Sequence, residues 1–439
     1  MNQTASQQPK VLGFWSCWAL CVGTMIGSGI FMLPAVLASF GLLSFGGWII
    51  AASGSIALAL VFARLAARTK RTGGPYVYAQ ETFGDLVGFL VAWAFWVSFW
   101  IAIPVVALAS VGYLAVFVPA LNGNMPAQVC AALGLIAVLT IINIKGLREA
   151  SVVQIVMTLL KIIPLLVIVA FGFYTGEPAN LPAFNPSGAP ILASLAAAAL
   201  ITMWPFTGFE AATLPAGACA DPEKTIPRAL TIGVLTVAAI YLTATFAVML
   251  LVPAETLTNS TSPFADAARG LGPWGPPFIA AGAIIATVGT LNGIIFACGQ
   301  MAMAVALDKL APSWLAATDK GGSPYVALLL SAGLGSVLLM MNFSRGLIGA
   351  FTFMLMMSTA LGLFYYLLTA LAELRHSWRS AKNWASVAIL AIAYTLFAAF
   401  GSGPEVLLWG VALMLLGVPV FFLCRQRAAP AAVAATPPS

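Results

Sequence analysis

Charge is what this sequence has least of. Only 7% of its 439 residues are charged, against roughly 25% in an ordinary soluble domain. The 19 basic and 13 acidic side chains cannot cover a soluble surface of this size. A water-soluble enzyme, a nucleic-acid binder and a disordered scaffold are therefore excluded. The chain has one histidine, His376, and its six cysteines form no CxxC pair and no Cys/His cluster, which argues against zinc. Cys17, Cys21, Cys130, Cys219, Cys298 and Cys424 read as small apolar residues, most of them inside apolar runs. No Walker A motif is present, so ATP drive from this chain is excluded. The long apolar runs are continuous, not alternating, which excludes a strand barrel.

What the sequence has is apolar length. Hydrophobic residues make up 61%, and the mean hydropathy is +1.01. A span needs about 20 apolar residues. Twelve such runs can be read, at 12–40, 43–66, 86–118, 126–146, 150–174, 189–218, 228–253, 275–307, 324–342, 345–372, 384–401 and 404–424. The fold class expected is all-α, a polytopic membrane protein. The N-terminal residues Met1 to Pro9 lack a basic region and a cleavage site, so the first helix is expected to stay. The Ala/Pro-rich tail 428–439 is expected to be disordered and cytoplasmic.

The basic residues orient the spans. With residues 1–10 as a cytoplasmic tail, the cytoplasmic side collects 16 of the 19 lysines and arginines. Arg269 and Arg345 fall outside, and Lys161 is left inside a span. Such a bias places both termini in the cytoplasm and supports an even number of spans. The high pI of about 9.1 thus reports a membrane side and not a nucleic-acid partner.

Two spans carry residues that spoil a continuous helix. The first reads Gly23-Thr24-Met25-Ile26-Gly27-Ser28-Gly29-Ile30-Phe31-Met32-Leu33-Pro34, and the sixth Thr202-Met203-Trp204-Pro205-Phe206-Thr207-Gly208-Phe209-Glu210. Glycine and proline are poor helix formers. Exposed backbone groups at membrane depth are tolerable only where they line a cavity or bind a ligand. Paired interruptions at corresponding positions point to a transporter's binding site. If the chain is two repeats of five spans, about 11–174 and 189–372, the odd number makes the second repeat inverted. Extra helices follow at about 384–424, and 11–427 is the transporter domain. The half-helix starting at Gly29 would offer N–H groups to a carboxylate, and the opposing carbonyl ends would suit an ammonium. The competing reading, glycines for close helix packing, suits an isolated pair better than two clusters five spans apart.

On these residues the chain resembles the amino acid–polyamine–organocation superfamily, and within it the basic amino acid/polyamine antiporters. The likeness rests on Gly23–Pro34, Gly73–Gly84, Trp204–Pro227, Pro263–Arg269, Gly289–Gln300 and Gly401–Gly403 before an acidic residue. It implies a 5+5 inverted-repeat (LeuT-like) fold with broken helices 1 and 6, and alternating access. It also implies that Met25, Ser28, Gly29, Trp204, Phe206 and Thr207 surround an amino-acid-like ligand. Arginine-exchanging members carry an aromatic in span eight, an amide in span three and a gating tyrosine. The matching positions here are Ile294, Ile103 and Phe95. A buried guanidinium would lack partners there, so the side-chain pocket is expected to be apolar. Exchange of arginine for agmatine, or of a diamine, is the alternative.

Two ionisable residues lie inside spans, where they are expensive and default to function. The resemblance implies that Lys161 takes the place of a sodium ion beside the first broken helix, donating to carbonyls around Gly23 to Met25. It would act either as a static bridge or in proton coupling. Glu210 is expected either to sense protons or to bond a loop backbone. Ser358 and Thr359 of span ten either face the cavity or bond their own backbone. Trp204 and Tyr365 or Tyr366 are gating candidates together with Phe95. Asn292 and Gln300 read as interhelical glue, and His376 as a solvated loop residue. Asp221-Pro222-Glu223-Lys224 is expected to order the loop after span six.

The function expected is secondary transport of amino acids across the cytoplasmic membrane, by sodium-independent exchange or proton linkage, without a cofactor and without enzyme activity. The partners expected are a small amino acid or amine, protons and the lipid bilayer, with a homodimer left open and no nucleic acid. A channel would need a ring of charges or a carbonyl filter, and an enzyme a polar catalytic cluster.

Overall fold

The computed structural model describes residues 13–27, 29–68, 75–145, 151–209, 221–319 and 321–428. Among the described residues, helix occupies part of every expected span and no strand occurs. The broken first span is α1 (Phe14–Met25) with α2 (Gly29–Ala38), followed by α3 (Ser44–Arg68). A short helix α4 (Pro75–Phe83) precedes α5 (Asp85–Leu114), α6 (Met125–Ile144) and α7 (Ser151–Thr175). The sixth span begins as α8 (Ile191–Met203), and the seventh is α9 (Pro222–Leu251). Two short helices, α10 (Ala254–Leu257) and α11 (Pro263–Ala267), lead to α12 (Gly275–Leu307), α13 (Tyr325–Asn342), α14 (Gly346–Ser377), α15 (Lys382–Phe400) and α16 (Gly403–Ala428).

By length and composition, eight helical stretches of the described residues could cross a membrane, one of which, Tyr325–Ser377, holds both α13 and α14. The α1–α2 pair, bent by 50°, makes a ninth, and shorter apolar helices lie at Leu160–Thr175 and Ile191–Phe206. An all-helical build follows from the solvent. A lipid-exposed backbone must satisfy its polar groups within its own segment.

Burial sorts the helices. α5 is the most enclosed and packs against α12, α14 and α4. α16 is the least enclosed, with Leu408, Leu415, Leu416 and Leu423 exposed in the manner of a lipid-facing helix. Cys17, Cys21 and Cys298 are buried as expected, but Cys130 is exposed and Cys424 half-buried, so those two do not pack in the core. Cys219 lies outside the described residues.

Some local readings are corrected. His376 is not in a loop: it sits in the last turn of α14, with Nε2 3.2 Å from Thr82 Oγ1. The stretch from Asp221 begins the seventh span, with Asp221 at the N-cap and Pro222 at the first position, where a missing N–H costs nothing. The helices α4, α10 and α11 were not read as spans because they are too short, yet α4 buries Pro75 to Ala79.

Candidate functional site

The interrupted first span is a real break. Ile26 leaves the helix in an extended conformation (φ −74°, ψ 95°), its N–H still bonded to Val22 O. The sixth span tightens at Trp204–Phe206, turns extended at Thr207 and reaches Gly208 at φ +107°. That dihedral strongly favours glycine. The Thr24 hydroxyl lies 3.0 Å from the Gly208 carbonyl, which it can donate to, so the two breaks are tied.

The breaks also touch. A methyl built on Gly29 would lie 2.8 Å from Trp204 Cδ1 and 2.9 Å from Pro205 Cβ. One built on Gly27 would lie 2.6 Å from Thr290 Oγ1 of α12. Glycine at both positions is therefore a matter of room as well as of helix breaking. Gly29 opens α2, so the first N–H groups of that helix have no intrahelical acceptor.

Tyr241 of α9 joins both breaks. Its buried hydroxyl donates to Met25 O at 2.7 Å and lies 3.3 Å from Pro205 O. The ring packs against Trp48 (5.4 Å) and Phe206 (5.8 Å). Trp204 O is also satisfied, by the Thr207 hydroxyl at 2.6 Å. Trp204 O also accepts from Thr207 N at 3.1 Å, which uses both of its lone pairs, so Met25 O and Pro205 O are the carbonyls the break can offer to an ammonium. Tyr241→Phe is expected to cost about 1–3 kcal/mol of stability, the penalty of a buried acceptor losing its donor. Thermal unfolding of the detergent-solubilised protein reads it, and a wild-type midpoint would contradict the tie.

Below the sixth-span break lies an aromatic layer. Phe209 stacks on Tyr366 (5.5 Å) and meets Phe62 edge-on (5.6 Å). Tyr365 packs on Tyr366 (4.3 Å) and on Phe95 (5.3 Å), which stacks on Phe99 (4.2 Å). Tyr365, Tyr366 and Phe209 are fully buried. The structure thus brings the two gating candidates Phe95 and Tyr365 together. Tyr78 of α4 joins Phe62 at 6.5 Å. Burial, and then the nearby Glu81, push its phenol up to about 12, so it stays neutral at working pH.

Charged groups tie the same end. The wholly buried carboxylate of Glu373 on α14 lies 2.8 Å from Arg64 Nε and 3.5 Å from Arg68 Nη1 of α3, and Ser377 bonds it. The Arg64 contact is close but poorly aligned for a hydrogen bond, so charge attraction carries it. The Arg64 guanidinium also stacks 4.5 Å over Trp384. Tyr76 of α4 donates to Asp308 at 2.8 Å. Glu373, on α14, is therefore a second buried ionisable group on a long apolar helix beside Lys161, and sequence reasoning does not single it out.

Other candidates are spread more widely. Ser358 bonds the Ser98 carbonyl of α5 at 2.6 Å and not its own helix, whereas Thr359 bonds its own backbone at Leu355. Ile103 is fully buried and faces α13: a methyl on Gly335 would lie 3.4 Å from Ile103 Cβ. Ile294 is half-buried on α12. Asn292 accepts from Asn143 of α6 at 2.8 Å, an interhelical bond of the expected kind. Lys161 is 7% exposed, with Cε 3.9 Å from where a methyl on Gly289 would stand, between α7 and α12. Ser28 and Glu210 lie outside the described residues.

Sequence reasoning does not single out Tyr241, Glu373 or Tyr113 of α5, whose buried hydroxyl donates to Phe31 O of α2 at 2.6 Å. For the tyrosines a signal existed: each is a phenol inside an apolar span, and a buried phenol usually finds a hydrogen-bond partner. Glu373 gave no such signal, since it stands two residues before Arg375 at the basic end of its apolar run.

An interrupted first span, tied to the end of the sixth and closed by an aromatic layer, is the architecture of a membrane transporter. The sequence model of the amino acid permease family matches residues 12–425, and the chain belongs to that family. It is 29% identical to the cadaverine/lysine antiporter of Escherichia coli (strain K12) over 90% of each chain. It is 28% identical to the putrescine transporter PotE of the same strain, over 97% of this chain and 98% of that one. A putative arginine/ornithine antiporter of Bacillus subtilis (strain 168) is 30% identical over 95% and 96%.

Proposed function

We propose that this protein exchanges amino acids across the cytoplasmic membrane by alternating access. The observation that carries the reading is the crossing of the two breaks at Gly29, Trp204 and Pro205, with Tyr241 between them. In this reading the α2 N-terminus around Ser28 and Gly29 holds the substrate carboxylate, and carbonyls near Met25 and Thr207 face its ammonium. Trp204, Phe206, Ile294 and Ser358 line the remainder, with Ile103 behind them. Phe95, Trp204 and Tyr365 gate the path. Both termini face the cytoplasm, residues 11–174 and 189–372 form inverted repeats, and the lipid-facing stripe of α16 is where a second copy would dock.

Lys161 stands in for a sodium ion, making exchange sodium-independent, and Glu210 responds to protons. The likeness to carriers named for cadaverine, lysine, putrescine, arginine and ornithine favours a second reading, a diamine or cationic amino acid as substrate. Counterflow in proteoliposomes decides between them. With an apolar pocket, alanine, leucine and methionine outcompete arginine, lysine and putrescine. The reverse order selects the cationic reading, and failure of all six to drive counterflow overturns amino-acid exchange. Replacing sodium with choline is expected to leave the rate unchanged. Lys161→Ala is expected to lower transport and alter its pH profile, and an unchanged profile at unchanged rate would remove Lys161 from the mechanism.

A further inference from the structure

At the end of the bundle formed by the α5–α6 and α9–α12 connections lies a cavity of about 860 Å³. In a chain so poor in charge, its lining is unusual: Asn122, Glu255, Asn259, Ser260, Asp266 and Arg269 all border it. Arg269 binds Asp266 Oδ1 through Nε (3.1 Å) and Nη2 (2.7 Å), which occupies one edge of the guanidinium. Among the described residues, no bond to the Nη1 edge is found. Asp266 is held from the other side by Ser260 at 2.5 Å, and Ser260 is itself buried. Glu255 is exposed and has no ion-pair partner among the described residues. The cavity thus presents the open edge of an exposed guanidinium, 77% accessible and paired to Asp266 on its other edge, and an exposed carboxylate with no ion-pair partner among the described residues.

Its floor reaches the first broken helix. Thr261 sits so close to α5 that a methyl on Gly112 would lie 2.3 Å from Thr261 O. The next residue of α5, Tyr113, donates to Phe31 O of α2 at 2.6 Å and accepts from Phe264 N of α11 at 3.2 Å. Phe31 packs edge-on against both rings, Phe264 at 5.5 Å and Tyr113 at 5.8 Å. Phe31 is two residues beyond Gly29. A buried aromatic plug therefore separates the cavity from the break, and α11 carries both a cavity wall and part of the plug.

We propose that this cavity is a second, shallower site for a zwitterionic amino acid, with Glu255 facing the ammonium and the open edge of Arg269 facing the carboxylate. It rests on the exchange reading above. The amino acid waits there until the Phe31–Phe264 layer opens. A guanidinium edge and a carboxylate are the complements of the two charges every α-amino acid carries, so the site selects the amino-acid backbone and leaves side-chain choice to the deeper site.

The test compares the two membrane sides. Oriented proteoliposomes carry wild type, Glu255→Gln or Arg269→Lys, the last keeping a cation for Asp266 while removing the planar fork. Labelled lysine and labelled leucine are the probes. Losing one charge-assisted contact is expected to raise KM about tenfold from the cavity side, with KM from the opposite side and the maximal rate unchanged. An equal KM on the cavity side, or equal changes from both sides, overturns the proposal while leaving exchange intact. If the wild type exchanges neither probe, the exchange reading fails. Equilibrium dialysis of the two probes on solubilised protein then judges the cavity: binding that Glu255→Gln weakens supports it, and binding indifferent to both variants overturns it.

Discussion

Replacing Glu373 with leucine is expected to lower the unfolding free energy by about 3–5 kcal/mol. The carboxylate is wholly buried, and the Arg64 side chain facing it is only 17% exposed. Leucine would leave Arg64 and the nearby Arg68 as two like charges without their counter-charge. An uncompensated buried charge is far costlier than the pair was favourable. The double variant Arg64→Met, Glu373→Leu is expected to recover much of the loss, because it removes both members. Thermal unfolding in detergent measures both, and a double variant as unstable as the single one would show that the charge is not the cause. The pair joins α3 to α14 beside the Phe62–Tyr366 contact. Breaking it is also expected to loosen that end, read as faster thiol labelling of cysteines introduced at Phe209 or Tyr366.

The helices were legible because bilayer thickness fixes their length, and a run of apolar residues can be counted. The break at Gly27 to Gly29 was legible for a related reason: glycine clusters contradict the span they interrupt. The partners of the break were not. Tyr241 is over two hundred residues from Met25, and nothing local in its apolar stretch says which carbonyl it meets. Ile103 is legible only through the resemblance. Its match to an amide of arginine-exchanging relatives is positional, and the side chain packs toward Gly335 of α13. Glu373 was hidden by its neighbours, since a carboxylate near three basic residues reads as surface until α3 is seen to cover it. Arg269 and Arg345, the two arginines expected on the far face, each hold an acid: Asp266 at 2.7 Å and Glu405 at 2.5 Å. Sequence could place them on a side but not name those partners.

The crossing of the two breaks yields the second large effect. Gly29→Ala is expected to reduce exchange at least about tenfold, and Gly29→Val to abolish it. The added methyl would stand 2.8 Å from Trp204 Cδ1, 2.9 Å from Pro205 Cβ and 3.2 Å from Pro205 Cα. Trp204 could move, but a proline ring and its backbone cannot step aside without shifting the sixth span. Overpacking a filled site costs about 1–3 kcal/mol, and here the displaced groups are the ones proposed to meet the ligand. A misplacement of about 1 Å in positioning groups can cost about a hundredfold in rate. The control is Gly293→Ala on α12, where a built methyl meets nothing within 4 Å. It is expected to transport like wild type. Both variants should reach the membrane in similar amounts, since a loss of folding would appear as lost protein instead of lost counterflow. If Gly29→Ala exchanges normally while Gly293→Ala does also, the breaks do not need to touch for transport, and the site lies elsewhere in the bundle.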